Sequence, residues 1–285
     1  MGLTDPMCDL MMGQTAENIA KDPSLGITRQ DQDAYSIRSH RLAAQAWKDG
    51  LFGDEVVPMY VPERSTCVER DNGIREDASQ ETFREVKPVF DRRHGSVTPA
   101  NSSQITDAAA AVLLMEEDKA KSLGLPILGY VKDYADFGYE PSCMGLAPVG
   151  AIAKVLAKTH LTLKDFAIWE INEAFASVVL GISRILDSSS LMERKFGRYG
   201  LTERLGEIPP RRSQPARRRY CARSSSWRLR SAPGYDLPVR TQTTECRAGT
   251  DQRLRRRWTG RGHDLGEEIA MSNGHQHLSR RVQTL

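Results

Sequence analysis

Apolar positions recur at helical spacing in five stretches. Residues 15–21 form a short helix ended by Pro23 and Gly26. Ala34, Ile37, Ala44 and Trp47 line one face of a second helix. Thr28 is its N-cap, with Asp31 placed to reach back, and Gly50 is its stop. Residues 108–115 are small and apolar for two turns. They predict a helix buried against a close neighbour, turning charged from Glu116 to Lys121 and ending at Gly124. Residues 144–157 read as a turn and then a helix, with Pro148 in the first turn where its missing N–H costs little. Phe175, Val178, Val179, Ile182 and Ile185 mark the fifth helix. Strand-length apolar runs lie at 56–61, at 126–131 and before Trp169, while 63–87 is polar, of mixed charge and reads as loop. Helix, strand, helix, strand, helix in that order predicts an α/β layered domain.

The third strand meets the fifth helix at Asn172 and Glu173. Ligands of open α/β sheets bind at such carboxyl ends of strands. A buried Asn there would hold a water or donate to a developing oxyanion. The same pair also serves as a helix cap, and spacing alone favours the cap. Ser102 and Ser103 precede the 108–115 run, where free amides would face an anionic or carbonyl ligand; capping alone explains them equally well. Met7, Met11 and Met12 cluster near the start, either as a soft pocket lining or as core filling.

Composition narrows the picture. The chain has 285 residues, 39% hydrophobic and 27% charged, with a formal net charge of +3, enough for one large or two ordinary domains. No apolar run approaches the roughly 18 residues that span a bilayer. Residues 1–5 have neither a basic start nor an apolar core, so no signal peptide is expected. Cys8, Cys67, Cys143, Cys221 and Cys246 are scattered, with no metal spacing and no disulfide framework. The expected setting is reducing and cytoplasmic, without membrane.

Six motifs follow one another along the chain: Met12-Gly-Gln-Thr-Ala-Glu-Asn18, Asp31-x-Asp-Ala-Tyr-Ser36-x-x-Ser39, Asp54-Glu-Val-Val-Pro58, Val97-Thr-Pro-Ala-Asn-Ser-Ser103, Met144-Gly-Leu-Ala-Pro-Val149 and Asn172-Glu-Ala-Phe175. In that order they resemble a thiolase, an acyl-CoA C-acyltransferase, from Met1 to about Pro210. The resemblance implies an α/β, layered αβαβα fold, present in part, with incomplete N- and C-terminal halves. Residues 1–103 would be the loop domain over the coenzyme A site. Residues 104–125 would end the N-terminal half, and 126–210 would begin the C-terminal half. It also implies thiolytic cleavage of a 3-ketoacyl-CoA, or the reverse Claisen condensation. No cofactor is needed beyond coenzyme A as substrate, and the intact family forms homo-oligomers. Asn172 would hold the water that stabilises the enolate. Met12, Ser103, Met144 and Phe175 would line the CoA and acyl pocket.

The family's nucleophilic cysteine belongs to a segment matched before Met1, and neither its Gly-His-Pro histidine nor its Cys-x-Gly-Gly-Gly cysteine follows Asn172. Cys8, Cys143, His263, His275 and His277 have the wrong neighbours. The chain itself is therefore expected to be inactive. After Lys195 lysine disappears and arginine clusters at 211–212, 217–219 and 255–257. Such a tail, 211–285, reads as disordered. Arginine's CGN codons, read one base later, become GNN. Residues 217–235 then permit Gly-Gly-Gly-Ile-Ala-Leu-Gly-His-Pro-x-Gly-Ala, and 254–265 permit Cys-Val-Gly-Gly-Gly. The glycines opposite Trp227 and Trp258 are forced by TGG. Both missing motifs thus stand in order in the shifted frame, and the slip falls between about Pro210 and Ser213. The tail is expected to carry no evolved structure. A different reading is a non-catalytic CoA- or partner-binding protein whose basic tail binds nucleic acid; the tail lacks stacking aromatics and any nucleic-acid motif. A bare α/β domain fits the composition but leaves the ordered motifs unexplained.

Overall fold

The computed structural model describes residues 3–53, 56–105 and 111–208, and the backbone of Arg230–Ser231. The chain opens with a two-residue antiparallel ladder, β1 (Thr4–Asp5) against β2 (Leu10–Met11), and runs straight into α1 (Met12–Lys21). Next comes α2 (Arg29–Lys48). The Thr28 hydroxyl accepts the Asp31 amide, and the Asp31 carboxylate accepts the Thr28 amide, both at 3.0 Å, so the reciprocal cap expected from sequence forms. At the far end Gly50 adopts φ +68°, a left-handed turn that only glycine enters freely. Its amide donates to Trp47 O (3.1 Å) and the Leu51 amide to Ala46 O (3.0 Å), a Schellman closure.

Residues 56–70 belong to a separate compact unit, in which β3 (Met59–Val61) pairs antiparallel with β4 (Thr66–Val68). The strand expected at 56–61 thus starts at Met59, and β4 falls in the stretch read as loop. So does α3 (Gln80–Arg84), which is capped by the Ser79 hydroxyl and buries Phe83. Both were hidden because polar sequence masks elements this short.

The buried helix expected over 108–115 is a correction. Residues 106–110 lie outside the described residues, and 111–116 are irregular and exposed, with Leu113 at 77%. Helix forms only at α4 (Glu117–Ser122). A short apolar helix depends on a surface that buries it, and among the described residues none covers 111–115. The strand expected at 126–131 is likewise irregular, with Val131 71% exposed; an isolated strand has no ladder to stabilise it.

From there the sequence reading holds closely. A 3₁₀ turn (Pro141–Leu146) leads into α5 (Ala147–Thr159), with Pro148 in its first turn. Then come β5 (Phe166–Ile168), α6 (Ala176–Leu186) and α7 (Ser189–Phe196). Arg230–Ser231, β6, pairs antiparallel with β5. Apart from that pair, the expectations for the 211–285 tail, nucleic-acid binding included, fall outside the described residues.

One core joins α1, the 3₁₀ turn, α5, α6 and α7. It holds Ile19, Leu146, Val149, Ile182, Ile185, Leu186, Met192 and Phe196 at 2% exposure or less. At roughly 1.5–3 kcal/mol per fully buried large aliphatic side chain, this cluster dominates the stability of the fold. Arg184 ties α6 across to α2: it donates to Leu25 O (2.5 Å) and pairs with Asp31 (2.8 Å).

Candidate functional site

Between β5 and α6 the chain crosses residues 169–175 without regular structure. Helix α6 starts from Phe175 with no side-chain cap, so the capping role that spacing favoured for Asn172 and Glu173 is not what these residues do. They face opposite ways. Asn172 is exposed, which corrects the expectation of a buried Asn, and Glu173 is buried. The Glu173 carboxylate accepts the Tyr35 hydroxyl at Oε1 (2.6 Å) and the Ser39 hydroxyl at Oε2. Tyr35 and Ser39 are four residues apart on α2, one turn of a single face.

The same junction is gripped from a second side. The Ser103 amide donates to Ala174 O (2.8 Å) and the Ala176 amide to Asn101 O (3.1 Å), with Ser102 and Phe175 in an antiparallel bridge. The 96–103 turn is itself anchored by buried polar groups. Glu17 on α1 accepts the Ser96 amide (2.8 Å) and the Val97 amide (3.0 Å). The Asn101 side chain donates to Asp33 Oδ1 and to Ser96 O, both at 3.0 Å, and accepts the Thr98 amide (2.8 Å). Burial pushes the Asp33 carboxyl above its ordinary value, although Asn101 and Arg29 (2.7 Å) pull the other way.

The buried face of α2 is therefore polar: Gln32, Asp33, Ser36, Ser39 and His40 join Ile37, Ala43, Ala44 and Ala46, while Ala34 is exposed. Apolar periodicity selected Ala34 because it cannot register carboxylates and amides as docking partners. Glu17, Asp33, Tyr35, Ser39, Asn101 and Glu173 all stood inside the quoted motifs, and the four-residue spacing of Tyr35 and Ser39 was the available signal that one face of α2 is shared.

Ser103 and Phe175 come together at the paired junction. Phe175 meets Phe90 edge-on (6.2 Å between ring centres), and the same Phe90 ring fills the space where a side chain at Gly13, next to Met12, would stand. Met144 is 42% exposed in the 3₁₀ turn, which is held to α1 by the Asn18 amide donating to Ser142 O (3.0 Å). Ser103 and Phe175 thus come together, and Phe90 links Phe175 to Gly13, the neighbour of Met12. Behind Glu173 is a small cavity of about 20 Å³, lined by Tyr35, Ser39, His40, Asn101, Ser102 and Glu173 among others. It is large enough for one water. The Ser102 hydroxyl is buried and has no hydrogen-bond partner among the described residues.

Family models match the chain in two consecutive pieces: the thiolase N-terminal domain over residues 1–118 and the thiolase C-terminal domain over 125–201. The chain belongs to the thiolase family. It is similar to a 3-ketoacyl-CoA thiolase of Yersinia enterocolitica, 44% identical over 200 residues that make up 70% of this chain and 45% of that one. A Yersinia pestis 3-ketoacyl-CoA thiolase is 42% identical over the same shares. Among solved structures it resembles the Bacillus anthracis acetyl-CoA acetyltransferase (TM-score 0.58, 36% identity, 72% of this chain and 51% of that). It also resembles the dimeric peroxisomal thiolase of Saccharomyces cerevisiae (TM-score 0.61, 32% identity, 75% and 48%). Human mitochondrial 3-ketoacyl-CoA thiolase in complex with CoA matches with TM-score 0.57 and 32% identity, over 73% of this chain and 51% of that. The chain spans about 45% of the length of the curated thiolases it matches.

Thiolase chemistry needs a thiolate, and thiolates form where charge or a helix N-terminus lowers the thiol pKa. Cys143 is the opposite case: burial pushes its thiol up, although a hydrogen bond with Ser142 and the charge of Lys195 pull the other way. Next to it Tyr139 is pushed up to about 12, chiefly by burial, and its hydroxyl donates to Lys195 O (3.2 Å). Among the described residues no cysteine lines the cavity behind Glu173. No helix among the described residues is long and apolar enough to cross a membrane, and no group of them is placed to hold a metal ion.

Proposed function

We propose that this chain carries the asparagine-bearing, CoA-facing part of an acyl-CoA C-acyltransferase and does not turn over 3-ketoacyl-CoA by itself. The observation that carries this reading is the junction: motif segments on α2 and at 96–103 hydrogen-bond to the 172–175 loop, α1 holds the 96–103 turn, and among the described residues no cysteine lines the cavity beside it.

Thiolysis requires a thiolate to attack the 3-keto carbon and the acetyl-CoA enolate to leave. The enolate oxygen gains charge as the C–C bond breaks, and a donor already oriented towards it lowers that barrier. Asn172 is the group offered for this task. It is exposed on a loop held at both sides, so its amide can carry a water towards an oxyanion without reorganising. Ser103 and Phe175 beside it, with Met12 and Met144 further along, form the lining assigned to the pantetheine and acyl chain. Residues 1–103 act as the loop domain, 104–125 as the close of the N-terminal half and 126–210 as the start of the C-terminal half. What is not offered is the sulfur and imidazole pair. Cys143 is half-buried, with its thiol pushed up by that burial, and His40, which lines the cavity, accepts the Arg75 amide at Nδ1 (3.2 Å).

The test is a coupled thiolysis assay with acetoacetyl-CoA and free CoA on the purified chain, with gene sequencing across the Pro210 codon. No turnover is expected, together with a one-base-shifted frame containing both missing motifs. Measurable turnover by contaminant-free protein overturns the inactivity.

A further inference from the structure

We propose that Glu173 is the positioning residue for Asn172: its carboxylate, held by the Tyr35 and Ser39 hydroxyls, fixes the loop so that the adjacent amide projects outward. The proposal rests on the reading of Asn172 as the enolate-side donor and extends it to three side chains that touch no reacting atom.

Two observations carry it. The first is the opposition of neighbours. Consecutive side chains of a chain without helical coiling point to opposite sides, and here Glu173 is 7% exposed while Asn172 is open to solvent. Fixing one therefore fixes the direction of the other. The second is that the anchored residue adjoins the backbone pairing: the Ser103–Ala174 and Asn101–Ala176 hydrogen bonds begin one residue after Glu173. Asn172 thus stands exposed between Ile171, which packs against the core, and Glu173, through which α2 bears on it. The anchor is well made for the purpose. A carboxylate accepting hydroxyls at both oxygens is fixed in rotation as well as in place. Its donors stand one helical turn apart on α2, whose ends are locked by the Thr28 cap and the Gly50 closure.

The decisive experiment needs no turnover. Tyr35→Phe, Ser39→Ala, Glu173→Gln and Glu173→Ala are compared by thermal unfolding, by hydrogen exchange of the Ser103 and Ala176 amides, and by the NMR position of the Asn172 side-chain amide. Tyr35→Phe and Ser39→Ala remove one hydroxyl each with little change of shape, so the test stands even where Glu173→Ala fails to fold. Expected are a displaced Asn172 signal and about tenfold faster exchange at Ser103 and Ala176. Exchange in α5 should be unchanged, and Glu173→Gln should retain part of the effect because its amide oxygen still accepts one hydroxyl. An unmoved Asn172 signal, or exchange rising uniformly along the chain, overturns the proposal. Either result leaves the thiolase reading standing, and turnover in the acetoacetyl-CoA assay would leave this one standing.

Discussion

Two stretches of this thiolase chain invert the usual rule of what lies inside. Around the 96–103 turn, Glu17, Gln32, Asp33, Asn101 and Glu173 are each 7% exposed or less. At residues 112–114, Val, Leu and Leu are 64%, 77% and 57% exposed. Hydrophobicity alone predicts the reverse. The difference is partners. Glu17, Asp33, Asn101 and Glu173 each have donors or acceptors at hydrogen-bond distance, so their desolvation is offset, whereas no surface among the described residues is laid over 111–115. Burial follows complementarity, and a polar stretch that supplies its own complement can displace an apolar one.

The sharpest way to break this comparison is Glu17→Ala. It strips the buried Val97 amide and the half-buried Ser96 amide of their acceptor. An unsatisfied buried donor costs roughly 1–3 kcal/mol, so a loss of about 3 kcal/mol is expected. Urea unfolding reads it as a lower midpoint at unchanged slope. A loss under about 0.5 kcal/mol would mean the polar network is a passenger on apolar packing, since surface-like substitutions cost no more than that.

How much of this was legible in the sequence follows the same division. Helices α2, α5 and α6 could be read because each carries its own instructions: the Thr28–Asp31 cap and Gly50, then Pro148, then the Val178–Ile182–Ile185 stripe. The 108–115 helix and the 126–131 strand could not, because their folding depends on surfaces that do not cover them here. The motif order located the junction, but not the division of labour within it. That Glu173 turns in and Asn172 turns out depends on α2, more than 130 residues away in sequence. No local pattern encodes that contact.

Thr28→Ala is expected to cost about 1 kcal/mol, a typical value for a lost N-cap. It sharpens the comparison by separating local from long-range support, since the Thr28 hydroxyl serves Asp31 of its own helix. Thermal unfolding should show the loss spread over the whole transition. A larger loss, approaching that of Glu17→Ala, would mean the cap also holds the junction.

Smaller again is the opposed titration of two acids on one helix. The Thr28 amide, and after it Arg184, hold Asp31 below its ordinary 3.8. Its contribution is present above that value and is lost as the pH falls through the lowered one. Burial holds Asp33 above 3.8, so its charge works against the folded state at neutral pH, and folding gains as the pH falls through the raised value. Carboxyl carbon titration should place the Asp33 midpoint above 3.8 and that of Asp31 below it. The reverse order would mean that the polar face of α2 is wet, and its burial would no longer need the partners described here.

The smallest effect on stability belongs to the other half of the comparison. Leu113→Lys places a charge in the middle of the exposed apolar run. In a packed core that substitution would cost several kcal/mol, because a buried cation needs a partner. At 77% exposure it should leave the unfolding free energy within about 0.5 kcal/mol of the parent. Its visible effect should instead be on association. Contiguous exposed aliphatic side chains draw copies together, and a charge within such a run opposes that. Sedimentation velocity should therefore show less self-association for Leu113→Lys at equal concentration and unchanged thermal midpoint. A midpoint lowered by more than about 1 kcal/mol equivalent would show that residues 112–115 are packed in solution, and the contrast between the two stretches would then lie only in which partner each had found.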